Sequence, residues 1–160
     1  MVNELIKRKA ARYVEVAATG LRFFPSAAEA IALLAQDRPV AICSGALRAE
    51  IEYALNRLNI RKHIQSITSA EDTTRCKPDP QGYTLALERL QADHPDLVPS
   101  ECLVIEDSLA GVQAARSAGM IPIGITHTYT PVELTEAGAA ALIQGLDQIT
   151  TNWIGKLTLL

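Results

Sequence analysis

Several ordinary ingredients are scarce in this chain, and each shortage excludes something. Lys and Arg number 15 against 18 Asp and Glu, a net charge of -3. With no basic field to neutralise phosphates, nucleic acid is not an expected partner. No apolar run approaches the ~18 residues of a membrane span, so no membrane partner is expected either. The start, Met1-Val2-Asn3-Glu4-Leu5-Ile6-Lys7-Arg8-Lys9, lacks the apolar stretch of a secretory signal. Cysteine is confined to Cys43, Cys76 and Cys102. They are odd in number and form no CxxC, so they read as free thiols in a reducing, cytoplasmic setting. Aromatic residues are only 4%, whereas Ala and Leu supply 43 residues. That balance suits helices packed on a small-residue sheet better than an all-β sandwich.

What is present suffices for a core. A chain of 160 residues can bury roughly 70% of its unfolded surface, so it needs no disulfide or structural metal. There is no internal repeat, low-complexity tract or Gly/Ser linker. Ile6, Ala10, Tyr13, Val14 and Ala17 share one face of an amphipathic helix expected over residues 2–17, with Gly20 able to end it. Ser26 and Glu29 have the spacing of a capping box for the next helix.

From residue 38 short apolar runs alternate with helical stripes. Strands are expected at 39–43, 64–67, 102–105, 121–125 and 139–143, the fourth demoted toward an edge or bulge by Pro122. Helices are expected between them: one striped by Leu47, Ile51, Ala54, Leu55 and Leu58, and one capped by Asp79 with Tyr83, Ala86, Leu87 and Leu90 on its core face. A third is capped by Asp107 or Ser108 and ends at Gly119, and a last one closes the chain near 145–155. Such alternation predicts an α/β fold, a three-layer sandwich with a parallel sheet. Ligands of such sheets bind just outside the C-terminal ends of the strands.

The polar residues at those ends are therefore the candidates. Ser44-Gly45 follows the first strand, where a hydroxyl and free amides at a helix start can hold an anion; an ordinary N-cap with a Gly turn is the plain alternative. In Cys76-Lys77-Pro78-Asp79-Pro80, two prolines hold Lys77 in a fixed direction as an anion ligand rather than a solvated surface charge. Glu106-Asp107 follows the third strand. Adjacent carboxylates repel unless a cation is near, and hard oxygen donors suit Mg²⁺; otherwise Asp107 merely caps the helix. Arg48, four residues past Ser44, can reach toward a substrate or stay solvated. His63, His94 and His127 have no ligand spacing.

A hydroxyl, a lysine and a carboxylate pair in this order resemble the haloacid dehalogenase-like (HAD) hydrolases, in the branch of β-phosphoglucomutase and phosphoglycolate phosphatase. Ser44 in Ala41-Ile42-Cys43-Ser44-Gly45 is similar to the family's second motif. Lys77 in Lys77-Pro78-Asp79-Pro80 is similar to the third, and Glu106-Asp107-Ser108-Leu109-Ala110-Gly111 to the fourth. The resemblance implies phosphoryl transfer through an aspartyl-phosphate, with Mg²⁺ at Asp107 and Glu106. Ser44, Gly45, Lys77 and Arg48 would bind the phosphate of a small phosphorylated metabolite, Ser44 and Lys77 in catalytic roles.

The family's first motif, Asp-x-Asp-Gly-Thr, is absent: no two aspartates of this chain stand in an Asp-x-Asp pair. The resemblance thus implies an N-terminally incomplete fold, with residues 1–20 a remnant of a helical cap domain and 21–160 an α/β core lacking its first strand. Such a chain is expected to be inactive by itself and to associate through its incomplete sheet. A sugar-phosphate mutase and a non-catalytic phosphate- or metal-binding module are the alternative readings.

Overall fold

The computed structural model describes Gly20 and residues 22–157; the helix expected over residues 2–17 lies outside them. The described elements alternate as expected: α1 (Ala27–Leu34), β1 (Ala41–Cys43), α2 (Arg48–Arg57), β2 (Ser66–Thr68), α3 (Gln81–Gln91), β3 (Leu103–Glu106), α4 (Leu109–Ser117), β4 (Ile121–Ile125), α5 (Pro131–Ala137), β5 (Ala141–Ile143) and α6 (Thr151–Leu157). All strand pairings among them are parallel, β1 with β2 and β3 with β4 with β5.

Side-chain alternation along the strands sorts the helices into two layers. Ile42 packs with Ile51 and Leu55 of α2, and Ile123, Ile125 and Ile143 pack with Ala30 of α1 and Ile154 of α6. On the opposite face Val104 meets Tyr83 and Leu87 of α3 and Ala114 and Ala115 of α4, and Leu142 packs near Leu134 of α5. Full burial of an aliphatic side chain such as Ile123 contributes roughly 1.5–3 kcal/mol. The three-layer α/β sandwich follows.

The strands form two sheets, of two and three members, rather than one. Val40 accepts from Gln65 and Ser44 donates to Thr68, so these alternate residues of β1 face β2. Ala41 and Cys43 therefore turn their main-chain groups the other way. Likewise Cys102 accepts from Ile121 toward β4, and Leu103 and Ile105 turn away. Among the described residues both sheets thus present an unpaired edge, β1 in one and β3 in the other. Helices α1 and α3 span the opening from its two faces: Ile31 packs toward β1 and Ala30 toward β4, while Tyr83 joins Cys43 and Val104 in one cluster. Ile105, an apolar residue in mid-strand, is left 37% exposed.

Three local expectations are corrected. Ser26 sits at φ 60°, ψ 13° and makes no cap bond; an N-cap needs extended backbone for its oxygen to reach the helix amides. Pro122 occupies neither an edge nor a bulge, because β4 is central in its sheet. Its carbonyl accepts from Ala140, so its nitrogen faces β5 ahead of where β5 begins and no ladder bond is lost. Helix α5 was not expected at all. Its start is nevertheless written in Thr130-Pro131-Val132-Glu133, where Thr130 and Glu133 form a capping box, and its end in Gly138 at φ 108°.

Candidate active site

Lys77 lies at the junction of the two open edges. Its ammonium donates to Glu106 Oε1, to Tyr83 Oη at 2.9 Å and to the Cys43 carbonyl at 3.3 Å. It also lies 4.6 Å from the centre of the Tyr83 ring. An ammonium has three hydrogens, and here each has an acceptor. The preceding loop is pinned on both sides: Asp79 caps α3 through the Gln81 amide at 2.9 Å, and Arg75 pairs with Asp79 at 3.1 Å.

Glu106 ends β3 and is 9% exposed. Tyr83 donates to its Oε1 at 2.6 Å and the Ser108 hydroxyl to its Oε2 at 3.0 Å. Burial pushes its carboxyl up, but the Lys77 charge and the hydrogen bonds from Lys77, Tyr83 and Ser108 outweigh it, and the net direction is down. Lys77 is thus the cation that balances Glu106. Both Glu106 oxygens are held by protein donors, which leaves Asp107 as the outward carboxylate; its Oδ2 accepts from Thr128 at 3.2 Å. Gly111 makes the packing possible, since a Cβ there would sit 2.1 Å from the Glu106 carboxyl carbon.

Burial pushes the Tyr83 phenol far up, reinforced by the Glu106 charge and hydrogen bond, so it stays a neutral donor. The Cys43 thiol is raised as well, chiefly by burial, and is a packing group rather than a nucleophile.

Two further candidates have partners that the sequence did not predict. Ser44 does not open a helix: α2 begins at Arg48, and the Leu47 and Arg48 amides are already taken by Glu50 at 2.9 Å and Glu71 at 2.6 Å. The Ser44 hydroxyl accepts from the Ala46 amide at 3.1 Å, across Gly45. Arg48 turns to the loop after β2, donating to Asp72 at 2.7 Å and to the Ile67 carbonyl at 3.0 Å. In this arrangement the opposite charge of Asp72 holds the Arg48 side chain. Lys77 instead touches the residue before Ser44 and the residue before Asp107, bringing the three motifs together. Sequence reading missed Tyr83, filed as a core residue; a hydroxyl on an otherwise apolar helix face was the available signal.

With this geometry in hand the family is decided. A family model described as haloacid dehalogenase-like hydrolase matches residues 3–119. The chain belongs to that family. It is 35% identical over 123 residues, 75% of this chain and 55% of the relative, to a phosphorylated carbohydrates phosphatase of Thermotoga maritima. Among solved structures, CbbY from Rhodobacter sphaeroides in complex with phosphate superimposes with a TM-score of 0.79 at 26% identity, covering 92% of this chain and 65% of that one. The fold is shared with β-phosphoglucomutase from Clostridium difficile, TM-score 0.69 at 21% identity over 84% of this chain and 55% of that one. The HAD chain described here spans about half the length of the curated relatives it matches. Among its described residues no helix is long and apolar enough to cross a membrane, and no three metal-ligating side chains cluster.

Proposed function

We propose that these residues form the phosphate-binding half of a Mg²⁺-dependent phosphoric monoester hydrolase acting on a small phosphorylated metabolite. The nucleophilic aspartate would arrive on a parallel strand seated between β1 and β3. The observation that carries this is Lys77, fixed where the open edges of both sheets end. A strand in the gap would satisfy the outward main-chain groups of Ala41, Cys43, Leu103 and Ile105, and its end would emerge beside Lys77.

In this reading Lys77 binds a phosphate oxygen, with Glu106 as its anchor. The Asp107 carboxylate, a hard oxygen donor at the strand edge, is the residue that would hold Mg²⁺. The ion would supply charge neutralisation as the phosphoryl group transfers. Ser44 would contribute its hydroxyl to the same phosphate. The likeness to the phosphorylated carbohydrates phosphatase of Thermotoga maritima favours a phosphorylated carbohydrate as substrate.

The test compares the 160 residues alone with the same residues preceded by a segment carrying Asp-x-Asp-Gly-Thr. The first should not hydrolyse an aryl phosphate with Mg²⁺, since loss of a nucleophile costs on the order of a million-fold. The second should, and Lys77→Ala or Asp107→Asn should abolish it. Turnover by the 160 residues alone would refute the placement of the nucleophile. Phosphate and Mg²⁺ binding by the extended protein without turnover would favour a non-catalytic module, and transfer to a sugar hydroxyl rather than water a mutase.

A further inference from the structure

Tyr83 is the one aromatic residue of α3, and its burial at 6% exposure explains its presence as core. Burial alone does not explain its hydroxyl. A phenylalanine would fill the same space against Leu87, Val104 and Met120. The hydroxyl instead closes a ring of three groups. It donates to Glu106 Oε1 at 2.6 Å and accepts from Lys77 Nζ at 2.9 Å, while Lys77 also donates to Glu106. A two-point ion pair can pivot about its contact, whereas a third group bonded to both members removes that freedom. Lys77 has four rotatable side-chain bonds and is only part-buried; without the hydroxyl it would keep only Glu106 and the longer 3.3 Å bond to the Cys43 carbonyl, so the hydroxyl is the tighter of its two further restraints.

We propose that Tyr83 is a positioning residue: its hydroxyl holds the Lys77 ammonium and the Glu106 carboxylate in one fixed arrangement, aiming Lys77 at the anion it binds. The identity of that anion as a phosphate rests on the function proposed above. The arrangement of the three side chains does not. The consequence is a division of labour within one residue, the ring serving the core and the hydroxyl serving the site.

The experiment uses Tyr83→Phe, which keeps the ring. Two quantities are read on the whole chain: the ¹H–¹³C signals of the Lys77 ε-methylene, which report its immobilisation, and the affinity for inorganic phosphate with Mg²⁺ present. Tyr83→Phe is expected to average the inequivalent Lys77 ε-protons. It should also weaken phosphate binding roughly ten-fold, as for loss of one hydrogen bond of ordinary net strength, and the same loss should lower the melting temperature by only a few degrees. Unaltered Lys77 signals in Tyr83→Phe overturn the proposal, whether or not phosphate binds. Lys77→Ala isolates the other reading: phosphate affinity unchanged in that variant would sink the phosphate assignment and leave Tyr83 to be judged by the Lys77 signals alone. A 3-fluorotyrosine label covers the case in which Tyr83→Phe does not fold. Lys77→Ala must then shift one ¹⁹F tyrosine resonance strongly, and a spectrum without such a shift overturns the proposal.

Discussion

Two carboxylates, Asp72 and Glu106, each gather an unusual number of donors, and they make opposite use of them. Asp72, in the loop after β2, accepts from Arg48 at 2.7 Å, from Arg89 at 2.8 Å, and from the Ser69 amide and hydroxyl at 2.7 Å each. Every partner lies in the half of the molecule built on β1 and β2. Glu106 accepts from Lys77 and Tyr83 across the opening and from Ser108 on its own side. Asp72 therefore ties one half to itself, whereas Glu106 ties the two halves together at the place where both sheets stop. Saturation with donors is common to both; what differs is location relative to the unpaired edges, and the function proposed above rests on that difference.

The comparison can be broken hardest at Glu106. Glu106→Ala leaves a part-buried ammonium without its anion, and a loss of about 3 kcal/mol is expected in denaturant unfolding. Phosphate affinity should fall with it, because Lys77 loses its anchor. Gly111→Ala presses a methyl group into the Glu106 carboxylate; about 2 kcal/mol of destabilisation is expected, and Gly111→Ala should weaken phosphate binding too. If it lost stability yet bound phosphate as before, the Glu106 anchor would be irrelevant to the site.

Asp72→Asn should separate the two carboxylates. It is expected to lower stability by about 1–2 kcal/mol at neutral pH and to leave phosphate affinity unchanged. The Arg89 hydrogen bond, followed by those of the Ser69 amide and hydroxyl, holds the Asp72 carboxyl well below the usual carboxylate range. A depressed folded value means stability that is fully present above the unfolded value of about 4 and drains as the pH falls toward the folded one. Asp72→Asn should flatten that acid-side slope in melts taken across about pH 2 to 5. Thr128→Val is the mildest change. It frees Asp107 of one neutral hydrogen bond of 3.2 Å, so stability should move by about 0.5 kcal/mol. Mg²⁺ affinity, followed by calorimetry, should shift only a few-fold.

The contrast also explains what could be read from the sequence. Alternating apolar runs and helical stripes are local patterns, and they located all five strands to within a few residues. The lysine and carboxylate motifs were legible because each is a contiguous string with its own turn chemistry. The Arg48 ion pair was not legible because its partner, Asp72, lies 24 residues away on another loop. Tyr83 was read only as core because its hydroxyl's value depends on Glu106, 23 residues on. Ser44, placed between a strand and a helix, does not start that helix because Glu50 and Glu71 accept the Leu47 and Arg48 amides and set its start at Arg48. Distant partners hid the roles of Arg48 and Tyr83, whereas α5, with its local Thr130–Glu133 capping box, and the Ser26 backbone were missed within their own elements.

The full occupancy of the Lys77 ammonium has a consequence for how an anion would arrive. A lysine pointing into water offers idle donors, and an oxyanion simply displaces solvent. Here an incoming oxygen must take a hydrogen from Tyr83, Glu106 or the Cys43 carbonyl, and the weakest of the three, at 3.3 Å, is the carbonyl on the open edge of β1. Anion capture at Lys77 is therefore a trade of partners, whose net strength is the difference between two bonds rather than the worth of one. Anything that claims the Cys43 carbonyl first, as the amide of an adjoining strand would, releases that hydrogen in advance and makes the trade unnecessary.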